Sequence, residues 1–160
     1  MSTHPNASPA LPDALRAGLV GSVAMTIAHE SARRVFPKSP RLDTLGRRAL
    51  ARLIRAAGSN PPGGAELQAV ALVGDVASNA ALFAAGVLAG PGGSAPVRGA
   101  AVGAAAGVLT LALPPHLGIG RRPGRLPAAT RWATVALYAG GGLATGLAYR
   151  SRRGRGAGGS

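Results

Sequence analysis

The chain has no cysteine, which excludes a disulfide framework, a thiolate metal site and a cysteine nucleophile, and leaves its redox compartment unreadable. Aromatic residues make up only 3% of it. Soluble cores draw much of their buried area from large side chains, so a chain this poor in them and holding 25 glycines must pack in another way. Acids are scarce too: 5 Asp and Glu stand against 18 Lys and Arg, a formal net charge of +13. Long apolar runs, by contrast, are plentiful. Leu67 to Gly90 carries Asp75 as its only charge, and Val97 to Leu117 and Trp132 to Tyr149 follow. Crossing the hydrocarbon core takes about 20 mostly apolar residues at a rise of about 1.5 Å each. The repeated length predicts an integral membrane protein. Small residues are then useful, because lipid is as apolar as leucine and helices associate by close backbone approach.

A charge of +13 also suits a nucleic-acid binder, but its distribution does not. The clusters at Arg33 to Arg55, Arg121 to Arg131 and Arg150 to Arg155 each border an apolar run, and no base-stacking aromatics interleave them. No nucleic-acid partner is expected. All but Lys38 of the basic residues are Arg, a chain-wide bias rather than the chemistry of one site.

The length is that of one domain, and the pattern predicts an all-α fold. It is a polytopic four-helix transmembrane bundle with one amphipathic interfacial helix. Residues 1–12 read as a polar, Pro-rich disordered tail and residues 13–149 as the membrane domain. The spans are expected over about 13–33, 67–90, 97–117 and 131–149. The first begins near Asp13 as N-cap, and its uncharged core, Ala17 to His29, is short for a crossing. A signal peptide is the rival reading there, with Arg16 as basic flank and Thr26-Ile27-Ala28 as cleavage site. After the turn at Pro37 to Pro40, a helix over about 41–57 puts Leu42, Leu45, Ala49, Leu50 and Leu53 on one arc. Arg41, Arg47, Arg48, Arg52 and Arg55 lie on the other. That pattern predicts a helix in the headgroup plane whose arginines meet anionic lipid. Gly99, Gly103 and Gly107 form a flat strip on the third span, a glycine zipper, and Gly142 and Gly146 give the fourth a strip of its own. Pro114-Pro115 should close the third span. Trp132 and Tyr149 bracket the fourth as interface aromatics, and residues 150–160 read as a basic disordered tail.

Orientation follows from the loops. The first holds eight basic residues and the third four, against Arg98 alone in the second. The positive-inside rule places loops one and three in the cytoplasm and both termini outside, although the tail arginines oppose this.

No catalytic, nucleotide or metal motif survives inspection. His29-Glu30 lacks the second histidine of a helical zinc motif, and Glu30 should pair with Arg33 or Arg34. His116 reads as an interfacial histidine after two prolines. Gly118 to Arg125 lacks the Lys-Ser ending of a phosphate loop, so it reads as a headgroup contact. Neither cofactor nor enzymatic activity is expected. The one intramembrane acid, Asp75, shares an arc with Gln68, Asn79 and Gly86, a face expected to point into the bundle. Thr26 and His29 fall at a similar depth, giving a candidate polar patch of Asp75, Asn79, Thr26 and His29. Two readings stand: an Asp that fixes helix pairing, or a proton or cation path with Asp75 titrating and His29 as relay.

The segment from Ala17-Gly18-Leu19-Val20-Gly21-Ser22 through His29-Glu30 to Phe36-Pro37-Lys38-Ser39-Pro40-Arg41 resembles small uncharacterised bacterial inner-membrane proteins of the YagU kind. The likeness covers about a sixth of the chain. It implies a four-helix, multi-pass inner-membrane protein without assigned chemistry. The expected function is a non-enzymatic accessory or self-associating bundle, partnered by the bilayer, by anionic lipid, and by a second copy or another membrane protein. A small transporter or channel using Asp75 is the alternative.

Overall fold

The computed structural model describes residues 10–35, 42–89, 93–119 and 123–157. Among the described residues all regular structure is helical. The helices are α1 (Ala10–Val35), α2 (Leu42–Ala56), α3 (Gly64–Leu88), α4 (Ala95–His116) and α5 (Ala128–Ala157), with a 3-10 turn at Pro123–Arg125. Among the described residues, two helices are long and apolar enough to cross a membrane, α3 with 25 residues and α4 with 22. The four expected spans thus reduce to two by composition. In α1 and α5 charged ends (Asp13, Arg16, Glu30 and Arg34; Arg131, Arg150, Arg152 and Arg153) and internal Gly, Ser and Thr dilute the apolar stretch.

Helices α4 and α5 pack through their glycines. A Cβ on Gly99 would strike the Gly142 carbonyl, one on Gly103 the Tyr138 carbonyl, and one on Gly146 the Ala95 carbonyl. Gly107 faces the Val135 backbone at 2.8 Å from the same hypothetical atom. Each strip lies against the other helix, so both are spent inside the chain. Helix α1 docks similarly, with Gly18 on the Ala80 carbonyl of α3 and Gly21 on the Gly141 carbonyl and Thr145 of α5. The buried Ser22 hydroxyl donates to the Val76 carbonyl at 3.0 Å. Two small buried clusters complete the interior. One joins Ala14, Ala17, Ala84, Val87 and Tyr149; the other joins Met25, Phe83, Ala106 and Tyr138. The large aliphatic side chains lie outside: Leu15, Leu19, Ile27, Val73, Leu109 and Leu147 are all exposed. Small residues within and large ones without is the reverse of a water-soluble core.

Several boundaries differ from expectation. Helix α1 begins at Ala10, so Asp13 sits in its first turn, 3.6 Å from Arg16, and is not the N-cap. Helix α4 continues through Pro114 and Pro115 to His116. The prolines remove donors only from the last turn, where the Ile119 amide donates to the Pro114 carbonyl at 3.0 Å and Gly118, at φ +66, reverses the chain. The tail expected to be disordered is helical as far as Ala157. Arg153 donates to the Tyr149 hydroxyl one turn back at 3.1 Å and lies over its ring, which helps carry the helix onward. Of the two aromatics expected to bracket the last span, Trp132 is 73% exposed, whereas Tyr149 is 6% exposed and packed on α1. The Pro37 to Pro40 turn lies outside the described residues.

At the α3–α4 hairpin Arg98 donates to the Val87 carbonyl at 2.7 Å and to the Gly93 carbonyl at 2.6 Å. The cation thereby satisfies acceptors at the end of α3, where the helix dipole is negative. Arg98→Ala should lower stability by about 2 kcal/mol, and Arg98→Lys should recover only part, since one ammonium lacks the fork that reaches both carbonyls. Thermal unfolding in detergent reads this directly; an unchanged midpoint for Arg98→Ala would remove the clasp.

Candidate functional site

Helix α2 carries Arg47, Arg48, Arg52 and Arg55 at spacings that keep them on one side of the helix. That side borders an open groove of about 1030 Å³, lined also by Gly64 and Leu67 at the start of α3 and by Gly118 and Ile119 beyond the end of α4; Arg47 is half-buried there, and Arg48, Arg52 and Arg55 are exposed. Ala51, buried, is the seat of the helix. Arg48 donates to the Ile119 carbonyl at 3.5 Å, and Arg52 lies so close to Gly118 that a Cβ there would come within 2.9 Å of its Nη1.

Among the described residues that line this groove none is an acid, and Glu66 stands beside it in the first turn of α3. The four guanidinium groups share one space, and each raises the cost of the others. The start of α3 borders the same space; its N-cap, Gly63, offers no side-chain acceptor, and Glu66 offsets the helix dipole there. Small residues at Gly64 and Gly118 keep the opening wide.

Of the arginines expected to meet lipid, Arg47, Arg48, Arg52 and Arg55 converge here; Arg41 lies outside the described residues. The apolar arc of α2 is not simply its docking face. Ala49 and Leu50 are half-buried while Leu53 is 68% exposed, and the side chains of Leu42 and Leu45 lie outside the described residues. Ala51, from the arginine side, makes the buried contact instead. Gly118 and Ile119 are far from α2 in sequence, and only the headgroup reading of the loop after α4 hinted at them; Gly64 follows α2 closely but carried no signal. Residues 120–122 of that loop lie outside the described residues.

The expected polar patch is partly assembled. Asn79 is 5% exposed, and Gly86 is buried against Val102, whose Cβ would lie 2.9 Å from a Cβ added there, but Gln68 is half-buried and Asp75 exposed. Between Gln68 and Ser78 only Ala71 is buried, so the arc does not all point inward. Asp75 neighbours Asn79 and lies within electrostatic reach of His29. Thr26 instead donates to the Ser22 carbonyl of its own helix at 3.0 Å. Two residues outside the expected patch join it: the Tyr138 hydroxyl has Thr110 and Asn79 as polar neighbours. Glu30 pairs with Arg34 at 3.9 Å, and His116 is exposed in the last turn of α4. Among the described residues, no three or more His, Cys, Asp or Glu are grouped to hold a metal ion. Compared with protein-family models, curated proteins and solved structures, the chain matches none.

Proposed function

We propose that this chain is a non-enzymatic, four-span membrane protein that holds an anionic phospholipid headgroup in the arginine groove, as an accessory component of a bacterial inner membrane. The observation that carries the reading is the groove itself, four arginines around a cavity with no acid among its described lining residues. A phosphate supplies a counter-charge and accepts bidentate bonds from guanidinium groups. The inverted packing supports the bilayer setting, since α1 and α5 can cross when their glycine and hydroxyl faces lie on α3 and α4. The groove gathers the first and third loops at one end of the bundle. The start of α1, the end of α3 and the end of α5 meet at the other, through Ala14, Val87 and Tyr149. The positive-inside rule then sets the groove at the cytoplasmic face and the termini opposite. The glycine strips, spent within the chain, leave self-association without that surface, which favours the accessory role.

Native mass spectrometry of the delipidated protein tests the reading. Phosphatidylglycerol should be retained about tenfold better than phosphatidylcholine, a difference of about 1.4 kcal/mol. Arg48→Gln with Arg52→Gln should abolish the preference, whereas Arg150→Gln with Arg152→Gln at the other end should leave it intact. Equal retention of both lipids by the unaltered protein would sink the proposal.

A further inference from the structure

We propose that Asp75, Asn79 and Tyr138 form a proton-binding site within the bundle, open sideways to the surrounding lipid. The inference rests on the bilayer reading but not on the arginine groove. Asp75 stands near the middle of α3, and Asn79, one turn on, shares its side of the helix. The Asn79 side chain is 95% buried by its 5% exposure, yet its Nδ2 has no hydrogen-bond partner. Buried amide donors almost always bond, so this one marks a place where an acceptor or a water belongs. Its polar neighbours are the Asp75 carboxyl and the Tyr138 hydroxyl, which Thr110 of α4 flanks in turn. The site thus draws on α3, α4 and α5.

Asp75 itself is exposed on the flank of α3, a position that the bilayer reading sets against hydrocarbon. A carboxylate there must take up a proton or a cation. A metal ion wants a cage of several oxygens, and here the nearest groups include an amide donor. A proton needs one carboxylate oxygen. Its uptake forms one O–H bond and cancels one negative charge; the protonated carboxyl keeps a carbonyl oxygen for the Asn79 amide. The titratable groups facing Asp75 are His29 from α1 and Tyr138 from α5, and α4 contributes the neutral Thr110.

The test is labelling with dicyclohexylcarbodiimide, which enters lipid and adds to protonated carboxyl groups, on the purified full chain in liposomes. Alkaline carbonate extraction first establishes that the protein is integral; release into the supernatant would defeat the bilayer reading separately. In integrated protein, peptide mass spectrometry should find the adduct at Asp75, declining as pH rises and absent in Asp75→Asn. Asn79→Leu and Tyr138→Phe should each move the midpoint of that decline by about one pH unit, which loss of packing alone would not do. No adduct at Asp75, a pH-independent adduct, or a midpoint unmoved by both substitutions would overturn the site. Protection by sodium chloride but not by choline chloride would overturn it too, in favour of a metal-cation site.

Discussion

Gly142→Leu will separate α4 from α5, while Gly140→Ala, two residues away on the same helix, will leave the pair intact or strengthen it. The contrast comes from what each new Cβ would meet. At Gly142 it would run into the Gly99 carbonyl, a backbone group held in α4 that cannot rotate aside. At Gly140 there is no atom within 4 Å. The first substitution must push two backbones apart along a seam that also includes Gly103 and Gly146, and should cost about 3 kcal/mol or more. The second gains up to about 1 kcal/mol from the better helix propensity of alanine. Unfolding in mixed micelles of denaturing and mild detergent reads both. Matching midpoints for the two variants would mean that the helices do not approach as closely as their glycines permit.

That seam was legible in the sequence because a small residue every fourth position has one physical use in an apolar helix. Gly99, Gly103 and Gly107 announced a flat face, and Gly142 and Gly146 a second. Spacing did not say that the two faces meet each other, because a strip at helical period fits a second chain equally well. Helices α3 and α4 were visible from length and apolarity alone. The end of α5 was not: Arg150 to Ala157 has the composition of a disordered tail, and its helix is supported by the contact of Arg153 with a tyrosine one turn back. Periodicity likewise put Asp75 on an inward arc, but it fixes direction about the helix axis and not how closely a neighbour packs at each level, and Asp75 is exposed where Asn79, one turn on, is buried. The arginine side of α2 was readable, whereas the cavity it lines needs Gly118 and Ile119, brought back by a turn after two prolines. Tyr138 gave no signal; in sequence it is one aromatic in an apolar span.

Gly21→Leu will unseat α1, and this decides whether the first helix belongs to the bundle or is an appendage to it. A Cβ on Gly21 would meet the Gly141 carbonyl and the Thr145 hydroxyl of α5. Neither can yield: Thr145 is fully buried and its hydroxyl already donates to the same Gly141 carbonyl at 3.0 Å. The expected loss is about 3 kcal/mol, against almost none for Ala24→Leu, which adds bulk to an exposed position of the same helix. Absence of cysteine makes a clean reporter available. Ser22 is fully buried between α1 and α3, so a thiol in Ser22→Cys should react slowly with a maleimide while α1 stays docked. Adding Gly21→Leu should speed that reaction and Ala24→Leu should not. Rapid labelling already in Ser22→Cys alone would mean that α1 is not seated, and the buried faces of α3 and α5 opposite it would need another partner. Slow labelling that only Gly21→Leu releases would fix α1 as the helix that closes the bundle over Phe83, held there by two glycines and one serine hydroxyl.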